Sequence, residues 1–245
     1  MTTVAASAVT WREARVLESI PVTTHARILR IAAPGWPGSL PGQHVDVRLT
    51  AEDGYQAVRS YSLGLAGTGD VIELGVDEVP DGEVSPYLVH EVRPDDALEV
   101  LGPLGGYFVW HADDPSPVQL IAGGSGIVPL RAMVRARLSA PDAAPFRLLY
   151  STRSQENAIY REELEAVRDG GVEVAWAYTR SAPSGWPGRV GRLNTEALDA
   201  AVWPVADDPL VFVCGPTGFV ETVAKALVAR GHSPRRIKTE RFGGA

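Results

Sequence analysis

A chain of 245 residues, 45% hydrophobic and 22% charged, has ordinary globular composition and enough length for one large or two ordinary domains. Its single cysteine excludes a disulfide framework, a cysteine zinc site and an internal cysteine-ligated iron–sulfur cluster. A net charge of -7 argues against a nucleic-acid partner, and no apolar run approaches the ~20 residues of a membrane span.

The chain opens MTTVAASAVTWREARV, with no basic region leading into an apolar core. No signal peptide is therefore expected, and the protein reads as soluble and cytoplasmic. From Trp11 to about Trp110, short strand-like runs are separated by Gly, Pro and Asp. The candidates are Arg12–Ser19, Ala26–Ile31, His44–Leu49, Ser60–Gly64, Ile72–Val76 (with Gly75 before its last residue) and Leu98–Val100. His44-Val45-Asp46-Val47-Arg48-Leu49 alternates polar with apolar, as a half-buried antiparallel strand does. Many short strands with regular turns predict an antiparallel barrel or sandwich.

Two places in this half carry chemistry. In Arg59-Ser60-Tyr61-Ser62 the arginine and tyrosine are two apart on a strand and share a face. A fixed cation there suits a phosphate and the ring suits stacking on a flat heterocycle, although one cation–π pair on a strand surface is the plainer reading. In Asp81-Gly82-Glu83-Val84-Ser85-Pro86-Tyr87-Leu88, Gly82 allows a sharp turn, Ser85 is of N-cap type and Pro86 suits a first helical position. Leu88, Val89 and Val92 continue as a short helix whose start could take an anion. The Pro-rich stretch His111–Pro117 marks a domain boundary, giving domains 1–112 and 113–245.

Beyond Pro117 strands and helices alternate: strand Val118–Ala122, helix Leu130–Ser139, strand Arg147–Tyr150, then helix Tyr160–Asp169 stopped by Gly170-Gly171. Strand Val172–Ala177, a helix from Asn194, strand Leu210–Cys214, helix Gly218–Arg230 and strand Arg236–Glu240 complete the series. This rhythm predicts an α/β domain with a parallel sheet covered on both faces and a ligand beyond the carboxyl ends of its strands. The first of those ends is Gly123-Gly124-Ser125-Gly126, followed by Pro129 at a helix start, a layout that brings backbone N–H groups to a phosphate. The second is Ser151-Thr152-Arg153, where Arg and Ser suit the 2′-phosphate of NADPH better than the bare ribose of NADH. The fourth is Cys214-Gly215-Pro216, whose cysteine reads most simply as a small buried strand residue. The five histidines are scattered without metal spacing, so no metal site is expected.

With its motifs in this order the chain resembles the ferredoxin–NADP reductase superfamily over nearly its whole length. The motifs are Pro41-Gly42-Gln43, Arg59-Ser60-Tyr61-Ser62, Gly82-Glu83-Val84-Ser85, Gly102-Pro103-Leu104-Gly105, Gly123 to Pro129 and Cys214-Gly215-Pro216. The resemblance implies an N-terminal antiparallel β-barrel holding FAD and a C-terminal domain holding NADPH or NADH. It implies that Arg59 pairs with a flavin phosphate, that Tyr61 stacks on the isoalloxazine and that Ser62 lies beside the hydride-accepting nitrogen. Ser60, Gly75 and Val76 would border the same cofactor, and Gly82, Glu83, Val84 and Ser85 would cradle its pyrophosphate. Gly124, Ser125, Gly126 and Pro129 would shape the dinucleotide pocket, with Ser151 and Arg153 at its adenosine end. Cys214 would stand where the nicotinamide enters, with Gly215 and Pro216 allowing close backbone approach. In the tail Phe242 would lie against the flavin ring and Glu240 would hydrogen-bond or relay a proton.

The implied activity is transfer of a hydride from NAD(P)H to FAD and release of electrons to a separate acceptor: a ferredoxin, a flavodoxin, an oxygenase component or a small oxidant. A local basic patch of Arg27, Arg30, Arg48 and Arg59 would dock an acidic carrier. Two rivals stand beside this: an NAD(P)H:flavin reductase that releases its flavin, and a non-catalytic redox-sensing or electron-transfer subunit.

Overall fold

The computed structural model describes residues 10–140, 143–167 and 171–243. The opening MTTVAASAV, the expected helix end at Asp169-Gly170 and the last two residues of the tail lie outside them.

The first sheet has six antiparallel strands: β1 (Trp11–Pro21), β2 (Ala26–Ala32), β3 (His44–Thr50), β4 (Gln56–Ser62), β5 (Val71–Asp77) and β6 (Ala97–Leu104). Their order is β4-β3-β6-β1-β2-β5. Alternation does what it predicts in β3, where Val45 and Val47 are buried between partly exposed His44, Asp46 and Arg48. Val16, Leu29, Ile31, Leu74 and Val100 meet them in one core, to which the short helix α1 (Ser85–His90) adds Leu88 and Val89. The outermost strands β4 and β5 touch through one isolated bridge, Leu63 to Leu74, so the sheet curls into a barrel with an open seam.

The second sheet is parallel: β7 (Val118–Gly123), β8 (Phe146–Thr152), β9 (Val172–Tyr178), β10 (Leu210–Pro216) and β11 (Ile237–Phe242), in the order β11-β10-β7-β8-β9. Helices α2 (Ile127–Leu138) and α3 (Arg161–Ala166) pack on one face; α4 (Thr195–Ala201) and α5 (Thr217–Ala229) pack on the other. The β7 strand is buried throughout, as burial on both faces requires. The chain runs outward from β7 to β9 and then returns to β10, so the strand order reverses between β7 and β10. That reversal opens a crevice at their carboxyl ends.

Several expectations shift in register. The strand read as Ser60–Gly64 begins at Gln56, because Ala57 to Ser62 all pair with β3. Ser85 does not cap its helix: it is the first helical residue, and its hydroxyl accepts from the Val79 amide, closing the preceding turn. Pro129 falls at the third position of a helix that starts at Ile127, preceded by a 3₁₀ turn at Gly124–Gly126. Proline is tolerated there because the first-turn amides lack intrahelical acceptors. The helix expected from Tyr160 begins one residue later, since Tyr160 is left-handed at φ 59°.

Phe108 and Trp110 precede the sequence boundary at 112/113, yet their side chains belong to the second core. Phe108 meets Phe212 edge-on at 5.3 Å and Trp110 meets Phe146 at 4.9 Å.

Candidate functional site

The barrel seam is the first half of the site. Beyond the Leu63–Leu74 bridge, β4 and β5 part around a cavity of about 500 Å³. Arg59, Ser60, Tyr61 and Ser62 line it from β4, Gly75 and Asp77 from β5, and Gly82 to Ser85 from the α1 turn. Val76, between Gly75 and Asp77, turns into the barrel core instead, because adjacent strand residues face opposite ways. Tyr61 is half-buried and its phenol is pushed up by burial, so the ring presents an un-ionised face. Arg59 lies exposed at the mouth and is held by Glu83 at 2.8 Å, which also accepts from the Tyr55 hydroxyl at 2.7 Å. Glu83 also borders a second recess of about 720 Å³, with Arg48, Tyr55 and Tyr87 among its walls. The two cavities therefore adjoin at the Arg59–Glu83 pair.

The crevice between β7 and β10 is the second half, with a cavity of about 230 Å³. Gly124, Ser125, Ser151, Arg153, Thr179 and Pro216 line it from the α/β domain. Its glycines do different jobs. Gly124 is left-handed at φ +55° with open space around it, so only its backbone conformation demands glycine. A Cβ on Gly126 would stand 2.2 Å from the Cys214 carbonyl oxygen, so this glycine lets the turn close onto β10. Gly123 and Gly215 both make room for the Phe219 ring. Four barrel residues, Thr23, His25, Ala26 and Asp77, form the opposite wall. The Asp77 carboxyl is pushed up by the crevice walls although the residue stays open to solvent; Ser125 and Arg153 pull against that rise.

The two halves meet at the end of β11. The Ser62 hydroxyl donates to Glu240 at 3.3 Å, joining β4 of the barrel to the edge strand of the parallel sheet. Burial pushes the Glu240 carboxyl up to about 7, opposed by that hydrogen bond. Cys214 pairs in register with Glu240 and is fully buried, and burial, then the Glu240 charge, raises its thiol. Phe242 lines both the seam cavity and the crevice. Beneath, a Cβ on Gly75 would stand 2.3 Å from Val128, so the first turn of α2 sits directly on β5.

A model of the oxidoreductase FAD-binding domain matches residues 13–109, and one of the oxidoreductase NAD-binding domain matches residues 120–225. Ferredoxin–NADP reductase B of Sorangium cellulosum (strain So ce56) is 34% identical over 242 residues, 94% of this chain and 97% of that protein. The chain belongs to the ferredoxin–NADP reductase family. A flavohemoprotein of Vibrio cholerae is 29% identical over 83% of this chain, which spans 51% of that protein's length. Among solved structures, the ferredoxin reductase in carbazole 1,9a-dioxygenase superposes with a TM-score of 0.83 at 25% identity, over 97% of this chain and 71% of that one.

As a member of that family, the chain is an FAD- and NAD(P)H-dependent oxidoreductase. The residues present fit FAD: the seam is open where strand pairing stops, a fixed cation and a tyrosine ring line it, and a second recess continues past the cation. The basic patch does not assemble. Arg27 and Arg30 lie on β2, separated by two intervening strands, β1 and β6, from β3 with Arg48, and Arg30, Arg48 and Arg59 each face a carboxylate while Arg27 donates to the Val89 carbonyl. Cross-strand neighbours supply the carboxylates of Arg30 and Arg48, and the α1 segment supplies the partners of Arg59 and Arg27, none of which a strand-by-strand reading of arginines sees. Also missed were His25 in the loop before β2, Asp77 at the end of β5, and Arg131 with Glu73, buried polar residues inside apolar patterns. Among the described residues no helix is long and apolar enough to cross a membrane.

Proposed function

We propose that this oxidoreductase holds FAD along the barrel seam, takes a hydride from NAD(P)H in the crevice and delivers electrons to a separate ferredoxin or oxygenase component. The observation that carries the reading is the junction at β11, where Ser62 bonds Glu240 and Phe242 borders both cavities. Two coenzymes seated in those cavities would meet there.

Bound FAD supplies the acceptor for a hydride and the ability to give electrons up singly. The chain's own residues would do the rest. Arg59 would neutralise a flavin phosphate, sharing its charge with Glu83. Tyr61 would cover one face of the ring, and Phe242, itself 37% exposed, would cover the other until nicotinamide displaces it. Ser62 would hold the ring edge by its hydroxyl oxygen, and Glu240, whose carboxyl is raised to about 7 and accepts from that hydroxyl, would hold or release a proton beside it. Gly124, Ser125 and Pro216 would admit the dinucleotide backbone, with Ser151 and Arg153 at its 2′-phosphate. Fully buried Cys214 would form the floor beneath the nicotinamide rather than a reacting group.

The relatives support the choice of acceptor by their names: a ferredoxin–NADP reductase and the ferredoxin reductase of a dioxygenase. Purified protein should be yellow with stoichiometric FAD and should bleach on rapid mixing with NADPH, more slowly with NADH. Colourless protein that binds flavin only at micromolar strength would instead favour a flavin reductase; bound flavin that neither nucleotide bleaches would remove the enzyme reading. Trials of ferredoxin, flavodoxin and oxygenase components as acceptors then decide the partner.

A further inference from the structure

We infer that Arg131 is a positioning residue that fastens the flavin seam of the barrel to the nucleotide-binding turn and so fixes the separation of the two coenzymes. The inference rests on the oxidoreductase reading above. Arg131 lies in α2, just over one turn beyond the glycine turn, and is 4% exposed. One guanidinium nitrogen donates to the Gly64 carbonyl at 2.5 Å and to Glu73 at 2.7 Å, both in the barrel. The other two donate to Glu163 of α3, at 3.1 Å and 2.7 Å. Tyr160 lies against the guanidinium at 4.4 Å, and its hydroxyl donates to the same Glu73 oxygen at 3.0 Å.

The barrel anchors are not arbitrary points. Gly64 follows Ser62 by two residues and Glu73 precedes Gly75 by two, so the fork grips both sides of the seam beside the Leu63–Leu74 bridge. A Cβ on Gly64 would stand 2.5 Å from the Tyr160 hydroxyl and 2.8 Å from Glu73, so this glycine clears the space the network fills. Gly75 does the same for Val128, one helical turn before Arg131. A helix moves as one body, and α2 thus carries the nucleotide turn, the Val128 contact and the Arg131 fork together against the seam.

Stability alone does not require this arrangement. A buried ion pair gains little over well-packed apolar side chains, whereas a five-donor fork fixes direction as well as distance. Direction is what hydride transfer needs, because a misplacement of about 1 Å can cost roughly 100-fold in rate.

The test uses FAD-loaded protein with Arg131→Met, Glu73→Gln and Tyr160→Phe, and Arg30→Met as a control within the exposed Arg30–Glu18 pair. Stopped-flow reduction gives the limiting rate and the half-saturating nucleotide concentration separately. Hydrogen exchange of peptides spanning residues 61–75 and 127–133 reports the docking without any turnover. Expected is a fall of about 10- to 100-fold in limiting rate for Arg131→Met and Glu73→Gln, with half-saturation moved less than about threefold. Exchange should rise in both peptides, Arg131→Lys should restore part of the rate, and the control should match the parent. A limiting rate within about twofold of the parent despite faster exchange would reduce the network to a stabilising device. Unchanged exchange with lost rate would equally overturn the inference. Should Arg131→Met fail to fold, Tyr160→Phe decides alone: it removes one hydroxyl, and an unchanged limiting rate counts against the proposal. If the parent itself does not bleach, the oxidoreductase reading fails, while the exchange comparison still judges the docking.

Discussion

Glu240 and Cys214 face each other across paired strands, and burial raises both acids. For Glu240 the folded state holds its proton up to about 7, whereas an exposed carboxyl releases it near 4.5. Between those values the folded chain binds the extra proton, so stability is fully present below pH 4.5 and declines as pH rises through about 7. The loss is at most about 3 kcal/mol. Denaturant melts of flavin-stripped protein from pH 5 to pH 8 should show the decline, and Glu240→Gln should flatten it; an identical slope in the variant would count against the buried carboxyl. The thiol follows the same logic with a simpler readout. Shielded and un-ionised, Cys214 should resist a thiol-titrating disulfide reagent at pH 7 in the folded protein and react promptly once unfolded. Rapid labelling of the native protein would mean the crevice opens far wider than this structure shows.

At the scale of elements, the glycine turn yields an ordering. Gly126→Ala drives a Cβ into the Cys214 carbonyl, backbone against backbone, and should cost about 3 kcal/mol or more. Gly124→Ala meets open space and should lose only the about 1–2 kcal/mol of a left-handed alanine. Urea melts should rank the two in that order; the reverse ranking would mean that β10 gives way easily. The type and order of nearly every element were legible from the sequence, because period-two alternation and the βαβ rhythm depend on local pattern alone. Boundaries slipped where tertiary contacts decide them: pairing with β3 extends β4 back to Gln56, and Val79 claims the Ser85 hydroxyl that local pattern assigns to the helix. The site was half legible. Arg59, Tyr61, Ser62, Gly124 and Phe242 line the two cavities as their motifs suggest. His25, Asp77 and Arg131 reach the junction only through the docking of one domain on the other, which no stretch of sequence encodes by itself.

Across the whole molecule, the passage between the domains is part of the second core. A fragment beginning at Tyr107 keeps Phe108 against Phe212 and Trp110 against Phe146, whereas one beginning at Asp113 loses both. Truncating each such aromatic typically costs about 3–5 kcal/mol, so the longer fragment should melt cooperatively and the shorter should not. Equal melting of the two would place the boundary where composition alone puts it. The open seam bears on handling as well as on chemistry. Past the Leu63–Leu74 bridge β4 and β5 part and leave two strand edges facing the cavity, a place where a flat, hydrogen-bonding heterocycle would fit. A flavin seated there would cover those edges, so protein stripped of it should offer them to its own copies and be more prone to sheet-to-sheet aggregation.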